Sequence, residues 1–168
     1  KYIGFSFHDE LPVFKDIIDS YDWDFCQIQL NYMDREYQAG LEGLKYAKDK
    51  GIDVVVLEPL KGGKLSLPSD EVKSILSKSD RNISASAWAL KWVEAQEGVK
   101  VVLSGMSSME HVHDNVSTYS DSKALTAAEL SLIDEVTQVY KDSFKIGCTA
   151  CQYCIPCPSN VNIPTIFE

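Results

Sequence analysis

The chain alternates short apolar runs with longer stretches in which apolar residues recur at helical spacing. The apolar runs, rich in Val, Ile, Leu and Phe, occupy residues 2–6, 25–32, 53–60 and 100–106. The run at 53–60 is apolar almost throughout, as expected for a parallel strand that is covered on both faces. The stretches between the runs have the pattern of amphipathic helices. This alternation predicts an α/β fold with a parallel sheet and right-handed crossovers.

Two architectures are compatible with four such strand–helix units. They can form an open, doubly wound sheet, or one half of an eight-stranded barrel. An open sheet that binds a dinucleotide usually has a GxGxxG turn after its first strand. Here the first run ends in GFSFHD, which does not fit that turn. Periodicity alone leaves the choice between the two architectures open.

Two helix starts have the sequence of a capping box, in which a Ser or Thr is followed three residues later by Glu. These pairs are Ser107 with Glu110, and Thr126 with Glu129. The helix that begins at the second pair is predicted to run to about Ser143. Beyond it the helical pattern stops, so residues 1–143 are expected to form one structural unit.

Composition and charge exclude several classes of partner. The net charge of −9 argues against nucleic acid and against an anionic membrane, because both are bound by clustered Lys and Arg. No apolar run approaches the roughly 20 residues of a membrane-spanning helix. The sequence starts at Lys1 directly in an apolar run, which indicates a piece cut from something longer. Four of the five cysteines lie in one short run, unlike a secreted disulfide framework, so we expect a cytoplasmic protein.

That run contains Cys148, Cys151, Cys154 and Cys157, in the pattern C-x2-C-x2-C-x2-C-P. Bacterial ferredoxins use C-x2-C-x2-C-x3-C-P to hold a 4Fe-4S cluster, with the fourth cysteine serving a second cluster. Zinc is an alternative, although structural zinc sites usually separate two cysteine pairs by a dozen residues or more. Disulfides between cysteines three apart would be strained. We therefore predict an iron–sulfur site, and we interpret Cys26 as a core residue.

Five sequence blocks resemble the second half of the aldo/keto reductases, in the same order and at similar spacing. The blocks are YIGFSFHD, FCQIQLNYMD, VVVLEPLKGGKL, WALKWV and VVLSGMSSMEHVHDN. The later stretch GCTACQYCIPCPSNVNIP is similar to the branch of that family with a ferredoxin-like tail. The resemblance implies a (β/α)8 TIM barrel, of which this chain would hold strands five to eight. Residues 1–143 would be the C-terminal half of the barrel, and residues 144–168 the start of a truncated ferredoxin-like iron–sulfur segment.

The resemblance also implies an activity. The family transfers a hydride between NADP or NAD and a carbonyl or alcohol at the C-terminal mouth of the barrel. The partners would be a small-molecule carbonyl substrate and an electron-transfer protein served by the cluster. The family's catalytic Asp, Tyr, Lys and His lie on strands one to four, so we expect them upstream of Lys1 and name no catalytic residue here. We interpret His8 as a loop residue near the substrate site, and His111 and His113 as members of a solvated helix face.

Cofactor binding is what this half would contribute. Barrel enzymes commonly hold phosphate at the loops after strands seven and eight, where unpaired backbone N–H groups meet a helix N-terminus. Those loops are EPLKGGKL and SGMSSMEH in this chain. By resemblance, Ser6 and Gln27 would bind the nicotinamide carboxamide, and Asn115 with Asp114 would reach the adenine. The predicted cofactor-binding residues are Ser6, Gln27, Leu60, Gly62, Gly105, Met106, Ser107, Ser108, His111, Asp114 and Asn115.

Several positions depart from the family's pattern. Phe7 replaces an Asn, Leu57 replaces the aromatic residue that stacks on the nicotinamide, and Glu58 replaces a serine. The Lys and Arg that often clamp a 2′-phosphate correspond to Gly105 and His111. The loss of two cations weakens a phosphate site, and Glu58 would repel a nearby phosphate. Altered cofactor affinity and a preference for NAD both remain open.

A second hypothesis starts from the absence of the family's four catalytic residues in this sequence. The chain would be an inactive half-barrel that associates with its own copy or with the missing half, and so buries the strand edges that a closed barrel hides. Its cysteines would then bind zinc or nothing. The two hypotheses are compatible if the full-length protein is the oxidoreductase and this chain alone is only part of it.

Overall fold

A computed structural model describes residues 1–143 and 154–167 of the chain. It confirms all four predicted strands, each of them shorter than its apolar run. Among the described residues, no helix combines the length and the apolar character that a membrane crossing requires. The elements are β1 (Gly4–Ser6), α1 (Leu11–Ser20), β2 (Phe25–Gln29), α2 (Gly40–Asp49), β3 (Asp53–Leu57), a 3-10 turn (Lys64–Ser66), α3 (Asp70–Leu76), α4 (Ala85–Glu94), β4 (Val99–Val102), α5 (Met109–Ser120), α6 (Ala127–Ser143) and α7 (Ile163–Phe167).

The four strands form one parallel sheet in the order β1-β2-β3-β4. When parallel strands follow chain order, right-handed crossovers place every connecting helix on the same face of the sheet. A doubly wound sheet instead reverses its strand order and has helices on both faces. The observed order therefore excludes the doubly wound alternative for this sheet.

One face of the sheet forms the core. Cys26 and Ile28 of β2 pair with Val54 and Val56 of β3, and all four side chains are fully buried. Because side chains alternate along a strand, these residues share one face. The helical members of the same cluster include Phe14, Ile18, Leu44, Ala47, Trp88, Trp92, Ile133 and Val136. Burial of this one face against the helices is the main source of the fold's stability.

The opposite face is not covered within the described residues. Val55 and Leu57 of β3 are only partly buried, while Val101 and Leu103, at and just after β4, are 47% and 44% exposed. The prediction that the third strand is covered on both faces is therefore not met by residues 1–143 and 154–167. In the same part of the chain, β1 pairs only with β2, and β4 only with β3, so both outer strands have a free edge.

The two predicted capping boxes differ in outcome. At α6 the box is confirmed, because the Glu129 N–H donates to Thr126 Oγ1 at 3.2 Å and the Thr126 N–H donates to Glu129 Oε2 at 2.8 Å. At α5 the prediction is wrong by one residue, since the N-cap is Ser108, whose hydroxyl accepts from the His111 N–H. In the same turn, the Ser107 N–H donates to His111 Nδ1 at 3.3 Å.

A partly buried ion pair joins α6 to the segment before α4. Arg81 Nε donates to Glu129 Oε1 at 2.8 Å, and the Ser79 hydroxyl donates to the same oxygen at 3.1 Å. Arg81 also contacts Asp121, in the connection between α5 and α6. The hydrogen bond from Arg81, helped by Thr126 and Ser79, lowers the pKa of Glu129 to about 2. The pair therefore favours the folded state as long as the carboxylate is ionised.

We predict that Glu129→Gln lowers the free energy of unfolding by about 2 kcal/mol at neutral pH, because Arg81 loses its nearest anion. A lowered pKa stabilises the fold above the unfolded pKa of 4.5, and this contribution is lost as the pH falls towards 2. The gap between wild type and variant, measured by urea denaturation, should close over that range. The control is Glu135→Gln, which breaks a half-exposed pair with Lys78 and should cost under about 0.5 kcal/mol. A gap independent of pH would contradict this account.

Candidate functional site

A cleft of about 490 Å³ opens where the chain leaves β3 and β4. Its walls are the loop after β3, the loop after β4 and the first turns of α5, so the carboxyl ends of neighbouring strands bring them together. The predicted cofactor-binding residues that line this cleft are Leu60, Gly62, Gly105, Ser107, His111, Asp114 and Asn115.

The other predicted residues lie outside the cleft lining. Ser6 and Gln27 face each other on paired strands, and Gln27 Nε2 donates to Ser6 Oγ at 3.3 Å on the uncovered face of the sheet. Met106 is 47% exposed in the loop beside the cleft. The hydroxyl of Ser108 is used as the N-cap of α5. The structure therefore brings together the two predicted phosphate loops and leaves the predicted nicotinamide contacts as a separate pair.

The cleft also contains residues that the sequence did not single out as binding residues. Ser86, in the first turn of α4, is more than fifteen positions from either loop, and only tertiary packing brings it there. Ser104 and Leu103 follow β4 directly, where any loop after a parallel strand would line such a cleft. Glu58 was noted only as a departure from the family's pattern, and Phe7, a second departure, lies in the core against Phe14.

The loop after β3 turns through several left-handed residues. The φ angles are 56° at Glu58, 50° at Lys61, 62° at Gly62 and 86° at Gly63. Glycine adopts this region freely, whereas Glu58 and Lys61 do so at a conformational cost. The Gly62 N–H donates to Glu58 Oε2 at 2.6 Å. The carboxylate of Glu58 therefore occupies a backbone donor of the loop that was predicted to hold phosphate.

Asn31 fixes this loop from the β2 side. It is fully buried, and its Oδ1 accepts from the N–H groups of Met33 and Asp34, both at 3.0 Å. Its Nδ2 donates to the Glu58 carbonyl oxygen at 3.2 Å and to Asp34 Oδ2 at 3.1 Å. Lys61 Nζ forms an ion pair with Asp34, at 2.7 Å from Oδ1. These contacts offset the strain of the left-handed residues and hold the loop in one shape.

The opposite wall is held by side chains of α5. Asn115 Nδ2 donates to Ser104 Oγ at 2.8 Å, which ties the helix to the end of β4. The Ser84 hydroxyl, the N-cap of α4, donates to Asp114 Oδ2 at 2.7 Å. The two residues predicted to reach an adenine are therefore also the ones that position α5 on its neighbours.

The charged side chains that line the cleft are acidic. They are Glu58 and Asp114, and among the lining residues within the described ranges there is neither a Lys nor an Arg. Lys61, in the same loop as Glu58, is bound to Asp34 instead. An anion in this cleft would therefore depend on backbone N–H groups, hydroxyls and His111 rather than on a fixed cation.

The predicted metal ligands are described only in part. Cys154 and Cys157 are partly buried free thiols, while Cys148 and Cys151 lie outside the described residues. Within 1–143 and 154–167, no group of three His, Cys, Asp or Glu side chains could hold a metal ion. Cys26 is buried in β2, and burial raises the pKa of its thiol to about 12, in agreement with its interpretation as a core residue.

The three histidines are all exposed. His8 lines a second cleft of about 560 Å³ at the loops after β1 and β2, together with Asp9 and Glu36. His113 projects from α5 without lining the main cleft, as predicted for a solvated helix face. His111 is exposed and also lines the main cleft, so both of its predicted environments apply.

Comparison with known proteins identifies a family and solved structures that are similar to this chain. Residues 1–138 match the model of the aldo/keto reductase family. The comparison with curated protein sequences gives no match. A solved aldo-keto reductase from Bacillus halodurans, in its holo form, is 25% identical with a TM-score of 0.64, over 80% of this chain and 49% of that one.

A second solved structure gives similar values at lower identity. It is an aldo-keto reductase from Klebsiella pneumoniae in complex with NADPH, 20% identical with a TM-score of 0.62, over 80% of this chain and 47% of that one. At this identity the likeness shows the fold alone. The chain spans about half the length of the solved structures that it matches.

We predict that Asn31→Asp lowers the free energy of unfolding by about 3 kcal/mol. The second carboxylate oxygen would face the Glu58 carbonyl and the Asp34 carboxylate, both of which are acceptors. Urea denaturation at neutral pH measures the change. Asn82→Asp makes the same substitution at an exposed position, and should change stability by less than about 0.5 kcal/mol. Equal effects of the two variants would show that Asn31 does not fix the loop.

Proposed function

This chain belongs to the aldo/keto reductase family, and we propose that it is part of an oxidoreductase that uses NADP(H) or NAD(H). The reaction would be hydride transfer between that cofactor and a small-molecule carbonyl or alcohol. The observation on which the proposal rests is the cleft between the loops after β3 and β4, where seven predicted cofactor-binding residues meet. Its volume of about 490 Å³ lies in the range of ligand pockets, roughly 300–1,000 Å³.

We propose further that the four strand–helix units of residues 1–143 are strands five to eight of a (β/α)8 barrel. Three features of residues 1–143 and 154–167 support this: the strands follow chain order, the helices cover one face, and both outer strands have a free edge. The matched part of this chain spans about half the length of the matched aldo-keto reductases. A preceding half-barrel would pair with β1 and β4 and cover the open face that contains Val101 and Leu103.

The residues of the cleft would bind the diphosphate and the adenosine of the cofactor. Gly62, Gly105 and Ser107 offer close backbone approach in the two loops, and the neighbour crystallised with NADPH supports a nicotinamide dinucleotide as the ligand. Gly105 fits this role, because a Cβ added there would meet no heavy atom within 4 Å. Glu58 fits it less well, since its carboxylate occupies the Gly62 N–H.

The chemistry of this half would be binding and orientation. When bound, the nicotinamide supplies or accepts the hydride. The hydrogen bond from Gln27 to Ser6 holds both side chains on the open face, where they would orient the carboxamide and fix which side of the ring meets the substrate. We assign the proton transfer to the family's Asp, Tyr, Lys and His on strands one to four, so residues 1–143 would be inactive without those strands.

The cysteine run extends the proposal. Cys148, Cys151, Cys154 and Cys157 would hold a 4Fe-4S cluster in the segment 144–168, which would exchange electrons with a protein partner. The support is the spacing of the four thiols, together with the free and partly accessible state of Cys154 and Cys157. Thiolate ligands of this kind fit the reducing cytoplasm.

Self-association is a second candidate property of this chain. The observation that favours it is the open face with half-exposed Val101 and Leu103, next to a strand with a free edge. Another copy of the chain could cover that face in place of the preceding half-barrel. Light scattering of the purified chain tests whether a second copy covers the face, because a stable monomer would count against self-association.

We predict that Gly105→Leu weakens NADH and NADPH binding at least about tenfold, because the side chain would fill the cleft. Gly105→Ala adds one methyl group in open space, and should keep binding within about threefold. Cofactor fluorescence titrations measure both effects. The urea midpoint of both variants should match wild type, since neither side chain meets a neighbour at Cβ. Unchanged binding in the leucine variant would place the cofactor elsewhere, and absence of binding in wild type would overturn the proposed function.

For the cysteine run, we predict iron and acid-labile sulfide in the chain when it is purified without oxygen, with the broad visible absorbance of a cluster. Cys154→Ser should remove both, because a cluster needs a full set of thiolates. Cys26→Ala takes away a thiol from the core instead, and should leave the cluster content unchanged. Stoichiometric zinc without sulfide would replace the cluster by a zinc site, and a metal-free protein would overturn both.

A further inference from the structure

The charged side chains that line the main cleft are two carboxylates, which disfavour an additional phosphate group. We propose that it takes NAD(H) in preference to NADP(H), and that Glu58 and Asp114 set this preference. The proposal rests on the proposed function and deepens it by naming the cofactor. The two cofactors differ only in the 2′-phosphate of the adenosine, which adds about 1.5 to 2 negative charges near neutral pH.

Glu58 is a fixed negative charge at one wall of the cleft. Its carboxylate accepts from the Gly62 N–H at 2.6 Å, and its backbone carbonyl is held by Asn31 at 3.2 Å. A charge-assisted hydrogen bond of this length holds the side chain in place. The same bond uses a backbone donor that would otherwise be available to a ligand phosphate.

Asp114 is a second fixed negative charge, at the wall formed by α5. The Ser84 hydroxyl donates to its Oδ2 at 2.7 Å, and the residue lines the cleft. A carboxylate in such a position can accept from a ribose hydroxyl, the contact by which many dinucleotide sites select NAD. It repels a phosphate at the same place.

His111 offers no fixed cation of the kind that Lys or Arg would supply. The Ser107 N–H donates to its Nδ1 at 3.3 Å, and the Ser107 hydroxyl lies 3.5 Å from the same nitrogen. Nδ1 is therefore engaged by the protein itself, which leaves Nε2 to meet a ligand, whereas Arg would offer a charged fork that matches phosphate.

Lys61, in the same loop as Glu58, is engaged elsewhere. Lys61 forms its ion pair with Asp34, whose side chain is also bound by Asn31 and Gln29. Moving Lys61 into the cleft would leave Asp34 without its cation, at a cost that a solvent-screened phosphate contact would not offset. Two carboxylates in a lining that contains neither Lys nor Arg among the described residues give a penalty on a 2′-phosphate on the order of tenfold in affinity.

The test measures binding of NADH and NADPH to the purified chain by titration calorimetry at low salt. The same titrations use ADP-ribose and 2′-phospho-ADP-ribose, which lack the nicotinamide and so report on the cleft alone. We expect the unphosphorylated ligand of each pair to bind about tenfold more tightly. The double variant Glu58→Gln with Asp114→Asn removes both charges, keeps the side-chain shape and leaves one carbonyl acceptor on each side chain. It should reduce that ratio to about twofold or less.

The control is Glu71→Gln, which removes one negative charge from the exposed surface of α3 and should leave the ratio unchanged. Equal or tighter binding of the phosphorylated ligands to the unmodified chain would overturn the preference and leave the proposed function standing. A preference for NADH that survives in the double variant would show that Glu58 and Asp114 do not set it. Absence of binding by all four ligands would overturn the proposed function itself, and the preference with it.

Discussion

The structure depends on the burial of one face of a parallel sheet whose strands follow chain order. Right-handed crossovers then leave no freedom in where the helices go, because each one must return over the same face. Cys26, Ile28, Val54 and Val56 form the sheet side of the core for this reason. The same geometry places every loop that follows a strand at the carboxyl-terminal edge of the sheet. The loops after β3 and β4 therefore become neighbours in space, although they are far apart in the sequence.

The position of a loop after a strand does not by itself fix the loop's shape. The loop after β3 is also strained, because Glu58 and Lys61 have left-handed φ angles. Its shape comes from β2, through the buried amide of Asn31 and the carboxylate of Asp34. Asn31 both donates and accepts, so one side chain satisfies backbone groups on two loops. The cleft is therefore a product of three consecutive strand ends rather than of one motif.

The sequence predicts the repeating parts of this protein well. Strand and helix periodicity yields the four strands, and the pair Thr126 and Glu129 yields the start of α6, because these signals lie within a few residues of each other. It fails where a choice depends on a tertiary contact. Ser107 with Glu110 has the sequence of a capping box, yet in the folded chain Ser108 caps α5 and the Ser107 N–H donates to His111 Nδ1. Likewise, nothing local to Ser86 indicates that packing of α4 brings it into the cleft.

The departures of this chain from the family's pattern have a common physical consequence. Backbone N–H groups in the two loops provide generic anion donors, which the chain retains as part of its turns. Side-chain charge is what distinguishes one anion from another. Here the charged lining residues are Glu58 and Asp114, while Gly105 and His111 stand where the family's pattern has cations. Because both carboxylates are tied to the protein's own donors, the loops keep their shape while their charge opposes a phosphate. Under the proposed preference, the charge of Glu58 and Asp114 would select the ligand, while the hydrogen bonds of the same two side chains hold the loop after β3 and α5 in place.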